Sequence, residues 1–194
     1  MNSDETDMSI DQASPTWRYT RIARWLHWIM AVLIVAMLGL GWTMVALEDE
    51  PGAGYLFGLH KSFGMLLLLL VAARLAWRFA HPPTPLPDTV PAWQNKLAIV
   101  TEWSLYACMV AMPVLGYLGA SHQKHPPRFF GLPTPAWTQP DHDVAERLFE
   151  IHGLVAWVLV ALAVLHVAGA LKHIVIDRDT VFRRMSLGRE DGAP

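Results

Sequence analysis

The chain has 194 residues, of which 53% are hydrophobic and 16% charged, whereas soluble domains carry about 25% charged residues. A mean hydropathy of +0.28 and a net charge of −2 exclude a disordered chain, argue against an ordinary soluble enzyme and give no reason to expect a nucleic-acid partner. The lone cysteine, Cys108, allows no internal disulfide.

In chain order, residues 1–16 are polar and acidic and read as a flexible tail. Four apolar stretches follow, each long enough to cross a bilayer, which takes about 20 helical residues. They run over Leu26–Leu47, Leu59–Phe79, Leu97–Ala120 and Leu148–Ile176, with Pro113 expected to kink the third. None shows the two-residue alternation of a barrel strand, so backbone satisfaction inside lipid predicts helices. The first stretch is too long for a signal peptide and lacks a small-x-small cleavage site. The expected fold is an all-α integral membrane protein, a four-transmembrane-helix bundle over residues 17–187, followed by a tail at 188–194.

Orientation follows from lysine and arginine placement. With both termini cytoplasmic, only Lys61, Lys124, Arg128 and Arg147 fall on the outer side, and the remaining basic residues fall inside. The outer loops are then Glu48–Gly58 and Ser121–Arg147, and His81–Pro91 is a Pro-rich cytoplasmic connection. Trp25, Trp28, Trp42, Trp77, Trp93 and Trp137 fall at expected membrane interfaces.

Ionisable residues inside a membrane are costly and are functional candidates by default. Four histidines fall within or at the ends of the stretches: His27, His60, His152 and His166. His152 and His166 are fourteen residues apart, which returns both to nearly one face of a helix, roughly 21 Å apart along its axis. His27 opens the first stretch at the depth of His166, and His60 opens the second at the depth of His152. Two cross-helix pairs at two levels suit two haems b, because neutral imidazole is a good axial ligand for haem iron. With no Cys-x-x-Cys-His, a covalently attached c-type haem is excluded. Histidines that merely sit at the interface are the plainer alternative. Zinc is another, but it asks for four ligands converging at one depth.

Arg74 and Arg78 share a helix face near the cytoplasmic end of the second stretch. Arg74, the deeper, is expected to meet a haem propionate or Glu102, and Arg78 to anchor among lipid headgroups. Glu102 is expected to snorkel. Gly39, Gly41, Gly64, Gly116, Gly119, Gly153 and Gly169 would admit either a macrocycle or ordinary helix packing. His81, His122, His125, His142 and His173 fall in loops or at helix ends and are not expected to be ligands.

Four segments resemble the bacterial cytochrome b561 family, the four-helix di-haem membrane cytochromes that include superoxide oxidase. They are Tyr19–Trp28 (YTRIARWLHW), His60–Arg78 with the Pro-rich stretch after it, Phe130–Pro133 (FGLP), and Arg147–Met185. The likeness spans roughly residues 17–187. It implies that His27, His60, His152 and His166 ligate two haems. One departure is that His173 is followed by Ile174 where relatives often pair two histidines.

The implied activity is electron transfer from superoxide at the outer face to ubiquinone, in the bacterial inner membrane among lipid. Lys61, with Lys124, Arg128 and His125, would supply positive potential for an anionic substrate, although Glu48, Asp49 and Glu50 oppose it. Two other expectations stand beside this one. The chain could be a haem-bearing anchor or quinol-linked carrier serving a redox protein partner such as a dehydrogenase or hydrogenase, or a membrane protein without redox function.

Overall fold

The computed structural model describes residues 18–85, 90–135 and 137–188. The tail expected at 1–16, nearly all of that at 188–194, and residues 86–89 of the Pro-rich connection lie outside the described residues.

Four long helices form the fold: α1 (Arg21–Ala46), α2 (Ala53–Ala80), α3 (Ala92–Ser121) and α4 (His142–Lys172). All four are long and apolar enough to cross a membrane. At 1.5 Å per residue the shortest, α1 with 26 residues, spans about 39 Å, against a hydrocarbon core of about 30 Å. Each helix begins before its apolar run, by five or six residues. Thr20 caps α1, its Oγ1 accepting from the Ala23 N–H at 3.3 Å. Asp141 caps α4, its Oδ1 accepting from the Val144 N–H at 3.2 Å. The outer loop expected over Ser121–Arg147 is accordingly shorter, because residues 142–147 are already helical. The loop expected over Glu48–Gly58 likewise closes early, at Gly52, whose φ of 96° suits glycine.

The helices run up and down, so the first and last described residues, Arg18 and Gly188, lie at one end of the bundle, called proximal here; the opposite end is distal. Neighbours in sequence pack together: α1 on α2, α2 on α3, and α3 on α4. The backbone of α4 does not pack comparably on α1 or α2. The apolar core centres on Met30, Leu67 and Val71, flanked by Ile34, Met37 and Met109. Solvent-style ordering is inverted: Arg24, Arg74, Ser62 and Thr101 are buried, while Val32, Val35, Leu69 and Leu154 are exposed. Lipid is the solvent that favours apolar side chains outside and polar ones satisfied within.

Two short structures finish the ends. Distally, Arg128–Phe129 and Leu132–Pro133 pair antiparallel around Phe130 and Gly131. Both turn residues have positive φ, at 47° and 88°, as a two-residue hairpin turn of the primed kind requires. Proximally, α4 runs into a π-helical turn (His173–Asp177) and a 3₁₀ turn (Val181–Arg184). The chain then lies against the start of α1. Arg184 O accepts from the Tyr19 N–H at 3.2 Å, Ser186 O from Arg24 Nη1 at 2.8 Å, and Met185 O from Trp28 Nε1 at 2.8 Å.

Candidate functional site

The four histidines meet in two pairs. His27 of α1 faces His166 of α4 at the proximal level, with ring centroids 6.1 Å apart. His60 of α2 faces His152 of α4 at the distal level, also at 6.1 Å. A metal between two imidazoles makes bonds of about 2 Å on each side, and roughly 1 Å more separates each nitrogen from its ring centre. Centroids about 6 Å apart are therefore what a bis-imidazole metal requires. Rings in van der Waals stacking would lie closer, as Trp77 and His81 do at 4.1 Å. The pairs bridge the two places where α4 stands off from α1 and α2, which is where a flat macrocycle has room. The residues present fit haem b at both levels.

The distal pair is backed by glycine. A Cβ on Gly41 would come within 3.2 Å of His60 Cε1, and one on Gly116 within 3.3 Å of His152 Cε1. Both contacts are tighter than side chains ordinarily tolerate, so these two glycines let α1 and α3 close onto the imidazoles. Gly39, Gly153 and Gly169 have open space instead, Gly64 meets only Met37, and Gly119 presses on Phe149. His152 Nδ1 lies 2.9 Å from Met112 O. A carbonyl only accepts, so Nδ1 carries the proton and Nε2 keeps the lone pair a metal needs. His60 Nδ1 is buried without a hydrogen-bond partner among the described residues.

Next to His60, Ser62 Oγ ties the hairpin to α2. It donates toward Gly58 O at 2.8 Å and accepts from the Phe130 N–H at 3.0 Å. Phe130 packs edge-on against Phe63, at 5.2 Å. The FGLP segment is thus fastened to α2 through Ser62 and Phe63, two and three residues after His60. Lys61 Nζ donates to Gln123 Oε1 at 3.0 Å, which holds the ammonium beside the distal pair. Lys124, His125 and Arg128 are exposed on the same loop.

The proximal pair has one cation, Arg74, against it. Arg74 Nη1 donates to Ala23 O at 2.8 Å, and Nη2 lies 3.5 Å from His27 Nδ1. Arg74 is not the partner of Glu102. That role falls to Arg78, at 2.7 Å, so the expectations of a lipid-anchored Arg78 and a snorkelling Glu102 are both corrected. The reason is register: α3 begins at Ala92, five residues before its apolar run, and this sets Glu102 level with Arg78. Trp28 and Trp77 also do more than mark an interface. Trp77 Nε1 donates to the capping Thr20 Oγ1 at 2.8 Å, and Trp28 stands edge-on to His27 at 5.5 Å. Sequence reading passed over Tyr106, which is 4% exposed and lies under both arginines; its signal is a polar residue within the third apolar stretch.

Comparison with known proteins agrees with this architecture. The sequence profile of the family described as prokaryotic cytochrome b561 matches residues 18–188. Cytochrome b561 homolog 2 of Escherichia coli K12 is 34% identical over 87% of this chain and 90% of its own length. The probable superoxide oxidase CybB of Yersinia pestis is 25% identical over 87% and 95%. Cytochrome b562 of Cereibacter sphaeroides is 28% identical over 86% and 94%. The match covers the four helices and all four paired histidines, and the chain belongs to the prokaryotic cytochrome b561 family, as a bacterial multi-pass membrane cytochrome of the b type.

Proposed function

We propose that the protein holds two haems b, one between His27 and His166 and one between His60 and His152, and carries electrons from superoxide to ubiquinone across the bacterial inner membrane. The observation that carries this reading is the stacking of two imidazole pairs at two depths on one shared helix. Bound haem supplies a one-electron couple at each level. The overall reaction balances when two superoxide ions lose one electron each to give two O₂, and one ubiquinone takes those two electrons and two protons to give the quinol.

The distribution of basic residues supports a cytoplasmic proximal end, with both termini inside. The distal end then faces outward with Lys61 beside His60. Gln123 engages one of the three ammonium donors of Lys61, leaving charge and N–H groups to attract an anion. The likeness to a probable superoxide oxidase supports superoxide as the donor. A second reading rests on Glu48, Asp49 and Glu50, all exposed on the distal loop. They favour a basic redox protein as partner, with the chain acting as a quinol-linked carrier or haem-bearing anchor.

Rapid mixing of the oxidised holoprotein with a superoxide generator plus catalase, against a reduced quinol, separates the two. Superoxide should reduce the haem, and added ubiquinone should then drain it. Because the Debye length falls from about 10 Å at 0.1 M to about 3 Å at 1 M salt, the superoxide rate should fall with ionic strength. Reduction by quinol with none by superoxide overturns the superoxide reading and leaves the carrier.

A further inference from the structure

Two near-copies of one short segment lie against the distal imidazoles. On α1 it is Met37–Gly41 (MLGLG), and on α3 it is Met112–Gly116 (MPVLG). In each, a Cβ on the closing glycine would press on a histidine ring, Gly41 on His60 and Gly116 on His152. The two rings nevertheless fare differently. His152 Nδ1 has Met112 O at 2.9 Å, whereas His60 Nδ1 is buried with no hydrogen-bond partner among the described residues. At the second position of the segment α1 has Leu38 and α3 has Pro113. The third position differs too, Gly39 against Val114, but it lies outside the peptide unit that carries the methionine carbonyl.

That peptide unit joins Met112 to Pro113, and the proline acts on it in two ways. Its Cδ crowds the N–H and Cβ of the residue before it, and the torsion that answers is ψ of Met112, which aims the Met112 C=O. The bond is also a tertiary amide, whose doubly alkylated nitrogen feeds more electron density to the oxygen than an ordinary peptide does. A helix carbonyl ordinarily points along the axis to the N–H four residues on. Here, inside the unbroken α3, the oxygen also reaches a ring on α4, and its two lone pairs allow both. Gly116 is one turn on and shares the face, so its missing Cβ leaves the notch through which the ring approaches.

We infer that Pro113 is a positioning residue for the distal level: it turns the Met112 carbonyl onto His152 and strengthens it as an acceptor. The inference rests on the haem reading above. Holding the Nδ1 proton on a carbonyl fixes the ring orientation and leaves Nε2 as the ligand atom. It also makes the imidazole a better electron donor to a metal, which favours the oxidised state. His60 has the same glycine behind it but no proline on the facing helix, and it lacks that support. His152 is therefore the ligand through which the protein sets the distal potential, and the MPVLG segment of α3 is the device that sets it.

The test is a potentiometric titration of the holoprotein, in which the distal component is the one absent from His152→Ala. Pro113→Ala removes the ring and makes the Met112 amide an ordinary one. It should move the distal equilibrium about threefold toward the reduced state, an upward shift of about 30 mV at 59 mV per tenfold. Replacing Pro113 by lactate, an α-hydroxy acid, turns the Met112 carbonyl into that of an ester, a poorer acceptor, and the shift should reach about tenfold. Leu38→Ala, the matching change on α1, should move nothing, and the proximal component should stay put in all three. A native distal potential in either Pro113 variant overturns the inference, and so do equal shifts at both levels, which would mean a general loosening of the bundle. Where one variant fails to retain two haems, the other decides. A native chain with no distal component instead overturns the haem reading beneath it.

Discussion

The two histidine levels have the same ring spacing and opposite surroundings. The distal pair is enclosed by backbone: glycines behind both rings, a carbonyl on His152 Nδ1, and a hairpin pinned through Ser62. The proximal pair is enclosed by charge: Arg74 against His27, and a chain end fastened to α1 through Arg18, Arg24 and Trp28. A carbonyl acceptor makes an imidazole a stronger donor to a metal and favours the oxidised state. A neighbouring guanidinium disfavours the added positive charge of that state. With haem at both levels, as proposed, the contrast would give one helix two chemically similar sites of different electron affinity. The lower potential is expected distally, so electrons move downhill toward the proximal end.

The largest effect expected from breaking this contrast is steric. Gly116→Leu or Gly41→Leu drives a side chain into the ring of His152 or His60, and either change should abolish the distal haem while sparing the proximal one. Haem content per chain, measured on folded protein, checks it; retention of both haems would show that the glycines are ordinary packing. Next comes charge. Arg74→Gln removes the cation beside His27 and should lower the proximal midpoint potential by on the order of 60 mV, a tenfold change for a one-electron couple. The distal potential should stay put in the same redox titration. An equal shift at both levels would mean that Arg74 acts through the fold rather than locally.

Much of this contrast was legible in the sequence, and the part that was not has a common cause. Apolar runs locate four spans because lipid filters side chains by polarity, and the fourteen-residue interval between His152 and His166 fixes their shared face. The start of α4 escaped because His142–Arg147 is polar and helical by virtue of the Asp141 cap, not of hydropathy. The choice between Arg74 and Arg78 for Glu102 escaped because both arginines share a face; only the register of α3 decides it. The proximal fastening escaped entirely. Its acceptors are mostly backbone carbonyls, among them those of Arg183, Arg184, Met185 and Ser186, and carbonyls leave no mark in a side-chain pattern.

Smaller effects sharpen the same comparison. Trp28→Phe removes one hydrogen bond to Met185 O, a loss of about 1 kcal/mol. It should lower the temperature at which the proximal haem is released and leave distal release unchanged, which thermal melts followed in the haem absorption band would resolve. Smallest is Lys61→Gln. Because one charge contributes only part of the distal field, superoxide-driven reduction should slow about threefold at low salt. At high salt the variant and the native protein should converge, and a difference that persists there would place Lys61 in a role other than steering.

The two-level arrangement itself is tested most directly by counting haem in purified protein and in His152→Ala and His166→Ala, with spectra of the haem that remains. The native chain should carry two low-spin haems, His152→Ala should keep the proximal one, and His166→Ala should keep the distal one. One haem per native chain, or loss of both from a single folded variant, would contradict two independent sites strung along α4.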